Sequence, residues 1–271
     1  MRLIYFGDIM GKMGREAVIA AVPKLRERYA PDFFIANGEN SAHGFGITEK
    51  ICNEFFASGI DVLTTGNHAW DQREIIGFIA KEPRLLRPLN YPKETPGAGA
   101  GIFQTKSGKR VLVVQVMGRL FMDPLDDPFA AVNGVLANHR LGRTVDAIVI
   151  DVHAEASSEK MAMWQHLDGQ VSLVVGSHSH VPTADAQILP RGTAYQSDAG
   201  MCGDYDSVIG MKKEVAIMSF IRKVPGDRLE PADGEATVCA VLIETDDASG
   251  LARRIEPLRI GGRLKPSLPQ I

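Results

Sequence analysis

The sequence predicts a layered α/β protein, because short apolar runs alternate with stretches of helical periodicity along almost the whole chain. A second observation points the same way: each run ends at glycine or at polar residues, as strands do where they leave a sheet. The runs occupy 3–6, 33–36, 62–65, 111–116, 147–150 and 173–175, each short enough for a strand buried on both faces. After the first, Val18, Val22, Leu25 and Tyr29 recur three and four residues apart and mark one face of a helix, which Pro23 is expected to kink or restart. Further helices are expected over 47–57, 75–79, 128–140 and 157–167. Loops are expected at 97–101, 124–128 and 224–234, then a closing strand pair near 237–244 and 253–260. The tail 261–271, with Pro266 and Pro269, reads as extended or frayed. No loop has the composition of a linker and no segment repeats, so one domain is expected over 1–271.

Composition narrows the function. With 45% apolar and 23% charged residues and a net charge of -3, the chain is an ordinary globular sequence. A pI near 6.2 argues against a basic face that wraps extended nucleic acid, while a short nucleotide remains compatible. Cys52, Cys202 and Cys239 are odd in number and not in CxxC spacing, so neither a disulfide framework nor a zinc knuckle is indicated. No apolar stretch approaches the roughly eighteen residues that cross a bilayer, and the run 3–6 is too short for a signal-peptide core. A cytoplasmic protein that does not bind membranes is expected, and self-association into a homo-oligomer is compatible with the sequence.

The chemistry gathers at the strand ends. Asp8 follows the first run, Glu39 and Asn40 the second, and Asn67 and His68 the third. His153 follows the run at 147–150, and His178 with His180 the run at 173–175. Any one of these residues has an ordinary structural reading as a turn former or a buried histidine. Jointly they need five coincidences, whereas the crevice beyond the carboxyl ends of strands is where an α/β sheet builds a site. All the donors are nitrogen or oxygen, which favours iron, manganese, zinc or magnesium over a thiolate cluster. Eight candidates exceed one closed zinc site, so two metal ions sharing a carboxylate are expected, with Glu39 as the bridge. His178 and His180 would share one face of an extended segment. Gly7, Gly38, Gly66 and Gly176 each precede a candidate group, where a missing side chain lets the backbone pass beneath the cluster.

These motifs, Gly7-Asp8, Gly38 to Asn40, Gly66 to His68, His153 and Gly176-x-His178-x-His180, resemble in order and spacing the calcineurin-like metallophosphoesterase superfamily. The segments 37–44, 66–71, 124–129, 153–160 and 178–185 are similar to its bacterial 2′,3′-cyclic-nucleotide 2′-phosphodiesterase (YmdB-like) branch, so the resemblance spans almost the whole chain. Where the wider superfamily has Asp-x-His and a bridging Asp, this chain has Asp8-Ile9-Met10 and Glu39, substitutions the branch shares. The resemblance implies an α/β/β/α sandwich with a small helical cap at about 43–65. It assigns Asp8, Glu39 and His180 to one ion and Glu39, Asn40, Asn67, His153 and His178 to the other, with iron expected first and manganese, zinc or magnesium as alternatives. It leaves His68 as the proton donor and implies a small nucleotide or phosphodiester substrate cleaved at the 2′ oxygen.

Second-layer roles are open among Asp71, Asp151, Glu155 and Asp198, any of which could orient a histidine. His43 and Arg119 are candidates for the phosphate; Phe45, Trp70 and Phe121 are candidates for stacking a base, though a core role suits Phe121 better. His139 and His166 fall in helical patterns and are expected to be bystanders. The amphipathic spacing of Ile47, Ile51, Phe55 and Phe56 behind the glycine-rich stretch 43–46 predicts that 47–57 forms the lid of the site. Two rival readings are a capsule-synthesis-like metallohydrolase and a metal-dependent, nucleotide-binding regulator.

Overall fold

The first strand sets the layering. In β1 (Arg2–Phe6), Leu3 and Tyr5 join one core and Ile4 and Phe6 another, and all four are buried, so the strand has a packed layer on each face. The structure, a computed structural model, describes residues 1–222 and 226–270. The loop expected over 224–234 thus lies partly outside the described residues, as does the last residue of the tail.

After β1 the chain forms β2 (Asp8–Ile9), α1 (Gly11–Tyr29), β3 (Phe33–Asn37), α2 (Glu49–Ser58), β4 (Val62–Thr64), α3 (Ile75–Ile79) and β5 (Leu85–Leu86). The next stretch contains β6 (Ala100–Gln104), β7 (Arg110–Met117), α4 (Pro128–Leu136), β8 (Ala147–His153), α5 (Ser157–Leu167), β9 (Leu173–Ser177), β10 (Gln187–Ile188) and β11 (Ala194–Gln196). The chain then returns to the first sheet through β12 (Met201–Asp204), α6 (Lys213–Arg222), β13 (Ala236–Thr245) and β14 (Ala252–Ile260).

Two sheets result. One runs β2-β12-β13-β1-β3-β4-β5 with β14 beside β13, and the other runs β10-β11-β9-β8-β7-β6. Strands β1, β3, β4 and β5 are parallel, as are β7, β8, β9 and β11, so each sheet has a shared carboxyl end. Leu3, Tyr5, Phe33 and Ile35 meet Val113, Val149 and Val175 in the core between the sheets. Val18, Val22 and Leu25 of α1, with Phe55 of α2, cover the outer face of the first sheet. Trp164 and Leu167 of α5, with Val132 of α4, cover the second. The layers are helix, sheet, sheet, helix, as the resemblance implied, and among the described residues no helix is long and apolar enough to cross a membrane.

The helix expected as a lid takes a different place. Thr48 caps α2, its hydroxyl accepting from Ile51 N, and Gly59 ends it in the left-handed region at φ 104°. Ile51, Cys52 and Phe55 are buried in the outer core, and α2 links the parallel strands β3 and β4. An amphipathic helix with an apolar face of this size is held by the sheet it covers, so α2 is a crossover helix in the outer layer. The rest of the stretch at 43–65 contains β4, an internal strand of the first sheet.

Candidate metal centre

The site forms where the carboxyl ends of the two sheets meet. From the first sheet come Asp8 in β2, Glu39 and Asn40 beyond β3, and Asn67 and His68 beyond β4; from the second come His153, the last residue of β8, and His178 and His180 beyond β9. The paired registers Phe6 with Ala36, Asn37 with Thr64 and His153 with Ser177 keep these ends level.

Three donor atoms converge on a fourth, His153 Nε2: Glu39 Oε1 and Asn67 Oδ1 at 2.9 Å and His178 Nδ1 at 3.1 Å. Glu39, His153 and His178 are the group of described His, Cys, Asp and Glu side chains spaced to hold a metal ion. Asp8 stands beside them, its carboxylate accepting from His178 N at 3.1 Å with Oδ1 3.9 Å from both His153 Nδ1 and His180 Nε2. Asn40 Nδ2 lies 3.0 Å from His180 Nε2. Asn40, which the resemblance assigns to the ion of His153 and His178, therefore faces His180 instead.

Neighbouring acceptors fix the direction of each ring. The Ser177 hydroxyl donates its single proton to Asp151 Oδ1 at 2.7 Å, so at 2.8 Å it must accept from His153 Nδ1, which leaves Nε2 facing the cluster. His178 Nε2 lies 3.2 Å from Glu155 Oε2, and His180 Nδ1 2.8 Å from Ile209 O, so their other nitrogens face the cluster, toward His153 and Asn40. Asp71 Oδ2 takes His68 Nδ1 at 2.8 Å, and His68 N donates to Glu39 Oε2 at 3.0 Å. Of the four candidate orienting acids, Asp71 and Glu155 touch a ring directly and Asp151 acts through Ser177. Asp198 touches no ring and binds Ser179.

The electrostatics call for a cation. Burial raises the Asp8 carboxyl to about 6, although His180 and His153 pull it down. Burial would raise Glu39 too, but His153 and His68 bring it to about 2. Burial alone would depress His153, yet Glu39, Asp8 and Asp151 lift it to about 9. Burial and the facing charge of His153 depress His178 to about 3. The carboxylates thus demand a positive charge, which a proton on His153 or a metal ion supplies. Buried Asn40 Oδ1 has no hydrogen-bond partner, and buried Glu39 Oε1 makes no aligned hydrogen bond and has only the His153 Nε2 contact at 2.9 Å. Buried oxygens without partners are costly unless something else binds them, and in an all N/O donor set they fit a metal.

Other features separate expectation from structure. Gly66 and Gly176 serve by close approach: a Cβ at Gly66 would stand 2.4 Å from both Glu39 Oε2 and His153 Nε2, and one at Gly176 would collide with Ser197 O. His178 and His180 lie in the left-handed region, at φ 95° and 64°, so the extended segment expected there is in fact a tight turn. Trp70 packs edge-on against Tyr91, the Arg119 guanidinium reaches toward Asp127 at 3.9 Å, and His43 lines a separate cavity of about 640 Å³ with Lys12 and Arg15. Phe45 meets the His68 ring edge-on at 5.2 Å. Phe121, expected in the core, is 91% exposed at φ 62° on the loop after β7, where the Glu159 carboxylate accepts from Arg119 N and Leu120 N just before it. His166 bonds Asn133 and His139 lines a hollow beyond α4, both apart from the cluster. Asn37, Ser177 and Tyr5, unremarked in the sequence, complete the buried network around Asp151 and His153. The signal for it was an aspartate inside the apolar run of β8, two residues before a histidine on the same face.

A family model described as "YmdB-like protein" matches residues 4–258. The 2′,3′-cyclic-nucleotide 2′-phosphodiesterase of Bacillus subtilis is 45% identical over 260 residues, 96% of this chain and 97% of that protein. A crystal structure of a hypothetical protein from Thermus thermophilus superposes with a TM-score of 0.90 at 41% identity, covering 97% of this chain and 100% of that one. A crystal structure described as a novel phosphatase from Mycoplasma pneumoniae gives 0.89 at 30% identity, covering 96% and 93%.

Proposed function

The chain belongs to the YmdB-like protein family, and we propose that it is a two-metal phosphodiesterase that opens 2′,3′-cyclic nucleotides at the 2′ P–O bond to give 3′-nucleotides. The observation that carries this reading is the buried nitrogen and oxygen cluster at the meeting of the two sheets, in which Asn40 Oδ1 has no hydrogen-bond partner and Glu39 Oε1 faces only the His153 ring. The similarity to a named cyclic-nucleotide phosphodiesterase over nearly its full length supports the substrate class.

Asp8, Glu39, Asn40, Asn67, His153, His178 and His180 would hold the ions, iron first, with manganese, zinc or magnesium as alternatives. Such ions neutralise phosphate oxygens and make water nucleophilic at neutral pH. The protein's own groups do the rest. Glu39 accepts the backbone N–H of His68 and so ties the proposed acid to the ligand set. Asp71 accepts His68 Nδ1–H, fixes the direction of the ring and leaves Nε2 to carry the proton. A ribose alkoxide is a poor leaving group, and the partly exposed ring of His68 can protonate it as the bond to phosphorus breaks.

The test is to purify the protein, measure its metal content and identify the product formed from 2′,3′-cyclic AMP. A 3′-phosphate formed only by metal-loaded protein is expected. A 2′-phosphate, or equal activity after metal removal, would refute the reading.

A further inference from the structure

We propose that the buried Lys160–Asp198 pair is a positioning device for the metal centre, in which Asp198 grips Ser179 and holds His178 and His180 in the turn that aims both rings. This rests on reading the cluster as a metal site.

The geometry supplies the argument. His178 and His180 both take left-handed backbone conformations that L side chains rarely adopt, so something outside the two residues must hold the turn. Ser179, the residue between them, donates from N at 3.0 Å and from Oγ at 2.8 Å, both to Asp198 Oδ2. The other carboxylate oxygen accepts from Gly200 N at 2.8 Å. The backbone of Asp198 also pairs with Thr183, so one residue clamps the loop at its middle and at its exit.

A carboxylate on a residue only 1% exposed needs a counter-charge, and Lys160, itself 2% exposed, supplies it through Nζ at 2.9 Å. Lys160 comes from the first turn of α5, and its stem lies against Gly176 at the end of β9, where a Cβ would press on it at 2.9 Å. A buried ion pair is a weak source of stability, since desolvating two charges offsets most of their attraction. What Asp198 provides that an apolar residue would not is a rigid double acceptor for Ser179. Neighbours that orient metal ligands in this way commonly change metal affinity by about 10–100-fold.

The experiment compares zinc and manganese affinity, by competition with a chromophoric chelator, and thermal unfolding of the metal-free protein. Its variants are Asp198→Asn, Ser179→Ala and the charge-free double variant Lys160→Met/Asp198→Asn. Asp198→Asn should weaken metal binding by about 10–100-fold. The double variant should recover the melting temperature of the metal-free protein but not the affinity, and Ser179→Ala should fold normally with a smaller loss. A double variant with wild-type affinity would overturn the proposal and reduce the pair to a structural ion pair. So would unchanged affinity in Ser179→Ala, which decides the matter if the Asp198 variants do not fold. Wild-type protein that binds neither metal would instead sink the metal-centre reading beneath it.

Discussion

His68 is bound to the site by its backbone and to Asp71 by its ring, an arrangement that suits a proton donor better than a ligand. If it protonates the leaving oxygen, His68→Ala should keep its metals and slow turnover of 2′,3′-cyclic AMP by about 10²–10⁴-fold. Nitrophenolate leaves with little help, so the loss on bis-p-nitrophenyl phosphate should be much smaller. Equal losses on both substrates would show that His68 positions the phosphate. Glu39 is read as the bridge, its Oε1 facing His153 Nε2 and its Oε2 accepting from His68 N. Glu39→Gln should therefore lose metal and nearly all activity, because a neutral amide bridges two cations poorly. His139→Ala, beyond α4, should change neither. Residue types and their place after apolar runs were legible in the sequence, since both follow from the order of the chain. Ring directions were not, because Ser177, Ile209 and Glu155 reach the histidines through contacts that only the folded backbone creates.

At the scale of elements, periodicity located α3 and α5 residue for residue and β1, β3, β4, β8 and β9 within a few residues. It missed β5 and β10, because two residues cannot display a period, and it missed α6, of which only Ala216 is buried. Pro23 was expected to kink or restart α1; the helix does not restart but runs from Gly11 to Tyr29, with Val18, Val22 and Leu25 anchoring it on both sides of the proline. The proline ring still removes the hydrogen bond to Ile19 O. Pro23 is exposed, so Pro23→Ala should stabilise the protein by about 1–2 kcal/mol, the helical gain less the entropy regained by the unfolded chain. Urea denaturation measures it, and a destabilised variant would show that Pro23 relieves a strain the helix would otherwise carry. Gly66 sits where a strand end must pass beneath two ligands. Gly66→Ala should cost metal affinity far more than stability of the metal-free protein, since the added Cβ would stand 2.4 Å from Glu39 and from His153.

Considered whole, the molecule is two parallel-centred sheets joined through an apolar core, with the candidate ligands divided between them. Asp8, Glu39, Asn40 and Asn67 ride on the first sheet; His153, His178 and His180 ride on the second. That division was implicit in the sequence as five strand ends, but a single run of residues cannot reveal which strands share a sheet. It has a mechanical consequence. Ions held by both sets would tie the sheets together at their open carboxyl ends, where buried carboxylates otherwise face one another across little more than His153. A ligand bound only by the folded state at a hundred times its Kd adds about 2.7 kcal/mol, which for a chain of this length raises Tm by roughly 5–10 °C. Chelation followed by dialysis should therefore lower Tm by that amount, and adding back the metal should restore it. Glu39→Gln should show little response to chelation. A Tm indifferent to metal in protein of verified metal content would mean that the unfolded chain holds the ions as tightly as the folded one, so that the apolar core between the sheets keeps the sandwich closed without a metal tie.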